Sequence, residues 1–178
     1  MAKLLFISLL VFASCATRAS EFPDSWFWDD SPQARAPRVL EGKPMPPLKL
    51  TGWLNGKVNA AEMKGKIVLV DFYTTWCPTC IIDIPHNNTL FEKFKGKGLV
   101  MIGVCTSDEG LEEMPNLVHA KRLKYPTALD PRLVTLKAWH VSMFPTYAFI
   151  DRKGIVRAIS VKPEHLEAVI EKLLTEKT

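Results

Sequence analysis

Two cysteines separated by two residues, placed where a buried strand hands over to a helix, constrain this chain more than any other feature. Ile67-Val68-Leu69-Val70-Asp71-Phe72-Tyr73 is short, β-branched and apolar at nearly every position, the pattern of a central strand covered on both faces. Thr74-Thr75-Trp76 follows, then Cys77-Pro78-Thr79-Cys80. From Pro78 onward Ile81, Ile84, Leu90, Phe91 and Phe94 recur at helical spacing, with Pro85 expected to kink the helix and Gly96 and Gly98 to close it. Cys77 therefore falls at a helix N-terminus. Unpaired backbone N–H groups and the positive end of the helix dipole stabilise a thiolate there. The thiolate is the form that attacks a disulfide. Cys80, one turn further in, is placed to resolve the mixed disulfide that results. Pro78 preorganises the first turn and lacks an N–H that would have gone unpaired.

Asp71 is an acid inside an otherwise apolar strand. Burial is expected to raise its pKa, so that it exchanges a proton with Cys80 as the mixed disulfide resolves; the plainer alternative is a strand-end acid reaching solvent. Phe144-Pro145-Thr146 precedes the strand-like Tyr147 to Ile150, and proline at a strand start admits either a cis or a trans bond. Trp76 is expected to flank the active site, since the motif exposes that turn. Cys105 ends a second apolar run, Leu99 to Val104, and reads as a small buried hydrophobe. A zinc site would need two further ligands beside Cys77 and Cys80, and neither a second C-x-x-C nor an H-x-x-x-H is present. His86 reads as a surface residue; His119, His140 and His165 show no ligand spacing.

The N-terminus reads as an export signal. Lys3 precedes an apolar run from Leu4 to Ala13, long enough for a signal core and too short for a membrane span. Phe12-Ala13-Ser14-Cys15 resembles a bacterial lipobox, which would make Cys15 a lipidated N-terminus; ordinary cleavage between Cys15 and Ser20 is the alternative. Residues 1–19 are thus assigned to the signal. Residues 20–38 are assigned to a proline-rich linker, in which Trp26, Phe27 and Trp28 are expected to fold back on the body of the protein. Residues 39–178 form the domain. In the domain, Leu48 to Leu50 reads as a short strand and Asn55-Gly56 as a hairpin turn. Further on come a helix over Glu109 to Leu123, a short strand at Ala128-Leu129, a helix over Arg132 to Trp139, a hairpin of Thr146–Ile150 with Ile155–Val161, and an amphipathic last helix opened by Pro163, with Leu166, Val169, Ile170, Leu173 and Leu174 on its buried face. Strands alternating with helices predict an α/β fold, a central mixed sheet with helices on both faces and an N-terminal hairpin extension. The net charge of +4 is interspersed, with no basic–aromatic stripe, which argues against nucleic acid as a partner.

Leu69 through Cys80 resembles the active-site strand and motif of the thioredoxin superfamily. Asp83-x-Pro85, Tyr125-Pro126, Asp130-Pro131 and Phe144 through Gly154 are similar to its exported TlpA/ResA-like branch, as is Gly42 to Gly65. The resemblance covers about residues 39 to 176. It implies a thioredoxin-like fold, with Cys77 as attacking and Cys80 as resolving thiol, and with Pro145 as the family's cis-proline, which packs on the disulfide and offers backbone to a substrate chain. Asp71 matches the buried acid of thioredoxins, where TlpA-like members often carry Asn. Phe144 stands where the family favours small or β-branched residues.

The expected activity is dithiol–disulfide exchange on proteins outside the cytoplasm, in the reducing direction, by a monomer recharged from a membrane electron donor. No metal or organic cofactor is required. Trp76, Pro78, Thr79, Phe144 and Pro145 are the candidate substrate-contacting residues. A thioreductase of cytochrome c maturation, a thiol peroxidase using Thr74 and Cys77, and a dithiol metal chaperone are the alternatives.

Overall fold

The computed structural model describes residues 21–106 and 110–176. The signal assigned to residues 1–19, with Cys15, lies outside the described residues. Six strands, β1 (Thr51–Leu54), β2 (Ile67–Tyr73), β3 (Leu99–Cys105), β4 (Thr127–Leu129), β5 (Thr146–Ile150) and β6 (Val156–Ile159), form one sheet in the order β1-β4-β3-β2-β5-β6. β2 runs parallel to β3 and antiparallel to β5; β3 and β4 are parallel; β1 and β6 are antiparallel additions at the two edges. This is the central mixed sheet that the order of elements predicts, in the thioredoxin-like arrangement that the resemblance implies.

The two faces of β2 are sorted by the two-residue period of a strand. Val68, Val70 and Phe72 point into one apolar cluster, Ile67, Leu69 and Tyr73 into the other. The second cluster is covered by α3 (Pro78–Phe94), α4 (Gly110–Lys121) and α6 (Leu166–Thr175), the first by α5 (Val134–Ala138), through its neighbour Trp139, and by the stretch from Met45 to Met63, which includes α2 (Ala60–Met63). Asp71 shares the face of Leu69 and Tyr73, so the acid points under α3.

Three elements differ from expectation. Leu48 to Leu50, expected as a strand, lies ahead of β1, which begins only at Thr51. The N-terminal extension is a single strand rather than a hairpin. Asn55 and Gly56 turn the chain, with φ of 58° and 104°, but the chain leaves toward α2 and β1 pairs with β4 instead. Asn55 secures that pairing by donating to the Leu123 carbonyl at 2.5 Å. The helix expected over Arg132–Trp139 is broken at its start. Arg132 and Leu133 sit at φ 58° and 57°, and α5 begins only at Val134, because the buried Asp130 carboxylate accepts from the N–H groups of Thr135 and Leu136 at 2.8 and 2.7 Å and caps the helix there.

The proline-rich stretch is laid on the domain as short helical turns, among them α1 (Pro32–Arg35). Phe22 and Phe27 are buried, and the Arg38 guanidinium lies 3.8 Å over the Phe27 ring. Phe27 bridges to Val161, Trp28 N–H donates to the Ser160 carbonyl at 3.0 Å, and Lys162 N–H donates to the Trp26 carbonyl at 2.8 Å. Arg157, on β6, holds Glu176 at 2.7 Å and also binds Glu21, so both ends of the described chain converge on it. Among the described residues no helix is long and apolar enough to cross a membrane.

Gly103 of β3 lies in register with Asp71 and Thr127, and a Cβ there would meet Thr127 Oγ1 at 2.5 Å and Tyr125 Cε2 at 3.1 Å. The overpacking cannot be relieved by a flexible side chain. Gly103→Ala is expected to cost about 2 kcal/mol, read as a lowered midpoint in urea unfolding.

Candidate active site

The site follows from where α3 begins. Cys77 is its N-cap, in extended conformation, and the Cys80 N–H donates to Cys77 Sγ at 3.2 Å. The sulfur thus occupies the place of a capping oxygen, facing the positive end of a helix dipole. Thr79 Oγ1 lies 3.3 Å from the same sulfur. Cys77 and Cys80 are joined by a disulfide and almost fully buried, at 4% exposure each, while Trp76 beside them is 63% exposed. Trp76 meets Phe144 edge-on, with ring centroids 6.2 Å apart. The Phe144–Pro145 bond is cis, and Pro145 is buried. Pro78 and Thr79 are exposed on the first turn of α3, so Trp76, Pro78, Thr79, Phe144 and Pro145 lie at the two segments that meet at the disulfide.

Beneath α3 is a buried polar network. Cys80, Ile84, Asn87, Leu90 and Phe94 are the buried residues of the helix. Asn87 lies two turns beyond Cys80 on this face and donates from Nδ2 to Asp71 Oδ2 at 3.2 Å and to the Tyr147 hydroxyl at 3.1 Å. Tyr125 donates its hydroxyl to Asp71 Oδ2 at 2.7 Å, and Tyr147 donates to Asp83 Oδ2 at 3.2 Å. Asp71 Oδ1 has no partner among the described residues and is open to a proton. Burial pushes the Asp71 carboxyl up to about 7, the Tyr125 hydrogen bond opposes this, and the Asp83 charge adds to it. Burial also raises Asp83, which the Tyr147 hydroxyl partly offsets. Both tyrosines are pushed well above the ordinary phenol range, by burial first and the Asp71 charge second, so they act as donors.

The structure brings Cys77, Cys80, Trp76, Pro78, Thr79, Phe144 and Pro145 together and sets Asp71 under the same helix. Sequence reasoning does not single out Asn87, Tyr125, Tyr147 and Asp83 as part of this constellation. Asn87 has a readable sign, an amide filling the gap in the apolar stripe between Ile84 and Leu90. Tyr147 has none, because it faces Asp71 only through the β2–β5 register. Cys105 is fully buried at the end of β3, where it bears on the Tyr73 hydroxyl. His86 is exposed on α3, and among the described residues no cluster of side chains suits a metal ion.

The Redoxin family matches residues 40–174. Thiol-disulfide oxidoreductase ResA of a Bacillus cereus strain is 28% identical over 174 residues, covering 96% of this chain and 96% of its own. Thiol-disulfide oxidoreductase ResA of Bacillus thuringiensis (strain Al Hakam) is 32% identical over 135 residues, covering 74% and 78%. The solved thioredoxin domain of a thiol-disulfide oxidoreductase from Bacteroides vulgatus aligns with a TM-score of 0.68 at 25% identity, over 76% of this chain and 98% of that one.

The raised Asp71 sets a pH dependence of stability. Its folded carboxyl titrates near 7 and its unfolded one near the ordinary 3.8. Between those values the folded state holds the extra proton, so stability falls as pH rises from about 4 to about 7. The loss is on the order of 4 kcal/mol when complete. Asp71→Asn, which keeps an acceptor for Tyr125, is expected to be more stable than wild type at pH 8 and to lose that advantage toward pH 4. Urea midpoints across this range check it, and an advantage that does not change with pH would contradict the assignment.

Proposed function

The chain belongs to the Redoxin family, and from that membership we propose that it is an exported reductant of protein disulfides, working through Cys77 and Cys80. The observation that carries the reading is a cysteine sulfur serving as the cap of a helix, with a second cysteine within bonding reach. Likeness to two ResA proteins, each named a thiol-disulfide oxidoreductase, supports the same chemistry.

In the reduced protein the Cys77 thiolate attacks one sulfur of a substrate disulfide. That S–S bond breaks, one substrate thiolate leaves, and a mixed disulfide forms. Cys80 then gives its proton to Asp71 and attacks Cys77 Sγ, releasing the second substrate thiol. Two electrons pass from the dithiol to the substrate, and the protein is left with the Cys77–Cys80 disulfide. Asp71, titrating near 7, is poised to accept that proton at neutral pH. Trp76, Pro78, Thr79, Phe144 and Pro145 hold the substrate chain against the sulfurs. The apolar run from Leu4 to Ala13 supports export, with Cys15 as the lipid-bearing residue, and a membrane dithiol donor restores the reduced state.

Protein lacking residues 1–19 is expected to reduce insulin disulfides with dithiothreitol as donor, Cys77→Ser to be inactive, and Cys80→Ser to accumulate a mixed disulfide. Absence of any rate above the dithiothreitol background would overturn the reading. The resolution step, followed in protein that keeps both cysteines as the decay of its transient mixed disulfide, should quicken as pH rises through 7. Asp71→Asn should slow it roughly tenfold or more and flatten its pH profile.

A further inference from the structure

Between α3 and the segment following β6 lies a cavity of about 480 Å³. It adjoins the sulfur pair through Thr79, the residue touching Cys77, and Pro145 also belongs to its lining. Ile82, 73% exposed, and Pro163 give it apolar walls, and Asp83 and Glu164 give it two carboxylates against the single imidazole of His86. The remaining wall is Trp28. That residue lies outside the stretch matched by the Redoxin family, yet it is fixed in place by its backbone bond to Ser160 and by the Phe27–Val161 bridge, just before Pro163 and Glu164. Its indole N–H is buried and has no partner among the described residues.

We propose that Trp28, Asp83 and Glu164 form a specificity subsite, which takes the side chain flanking the reacting cysteine of a protein substrate and selects a lysine or arginine there. The proposal rests on the reading of the protein as a reductant of protein disulfides. Continuity with Thr79 and Pro145 makes the substrate chain the occupant. The chemistry of the walls chooses its side chain. A long alkyl stem lies along Trp28, Ile82 and Pro163 while its charged head reaches the carboxylates, and the indole face adds to the attraction. An acidic side chain would instead meet two carboxylates.

The test compares short peptide disulfides that differ only in the residue flanking cysteine (lysine, leucine or glutamate, on either side), with 2-hydroxyethyl disulfide as a chain-free reference. The wild type is expected to show kcat/KM about tenfold higher for the lysine than for the glutamate peptide at low salt. Glu164→Lys is expected to reverse that order. Trp28→Ala should bring the lysine peptide down toward leucine, and Trp28→Phe should restore most of the difference. If Trp28→Ala fails to fold, the Glu164→Lys reversal still decides. Equal rates for the three peptides, with 2-hydroxyethyl disulfide turned over normally, would overturn the subsite and leave the oxidoreductase reading intact. No turnover of 2-hydroxyethyl disulfide would instead remove the reading on which the subsite rests.

Discussion

The Cys80 N–H donates to the sulfur of Cys77, and that bond exists because α3 starts where β2 stops. β2 is clamped between β3 and β5, with every residue buried, so the point at which it releases the chain is set by the whole sheet. Ile84, Leu90 and Phe94 then press α3 onto that sheet and fix the direction of its dipole. A shift of α3 by one residue would take the sulfur out of the cap and Asn87 off Asp71. The Cys77–Cys80 pair and Asp71 are therefore held by the same packing, although their side chains come from different elements.

Asp71 shows what this arrangement costs. A carboxylate under a helix, among Leu69, Tyr73 and Ile84, is disfavoured in its charged form. Two donors, Tyr125 and Asn87, meet one of its oxygens and leave the other open. The balance leaves the group near neutrality rather than locked in either state. Asp83, tied to the network through Tyr147, carries the influence of the cavity rim inward, since its charge is one of the forces on Asp71. A change in the charge of Asp83 thus bears on Asp71.

Much of this is legible in the sequence, and the reasons are local. A run such as Ile67–Tyr73 has one fate in a folded domain, and a cysteine pair at its exit defines the helix start that follows. The resemblance to thioredoxins supplies Pro145, whose peptide bond would otherwise be expected to be trans. The partners of Asp71 are hidden because they meet only through tertiary register: Tyr147 through β5, Tyr125 just before β4, Asn87 through the turn count of α3. The N-terminal extension departs from expectation for a related reason. Asn55-Gly56 does turn the chain, but whether a turn closes a hairpin depends on the competing strand, and β4 offers the better partner. The break before α5 arises from Asp130, whose capping role is invisible until the helix it caps is in place.

Arg157 joins Glu21 to Glu176 across the edge strand β6, so the first and last described turns share one fastening. A tether pulling on the N-terminal side would load that guanidinium before it reached the sheet, and the strap carrying Trp28 would yield ahead of the strands that hold the sulfurs. The wall that Trp28 gives the cavity is thus fastened apart from the β2–α3 junction that carries the sulfurs.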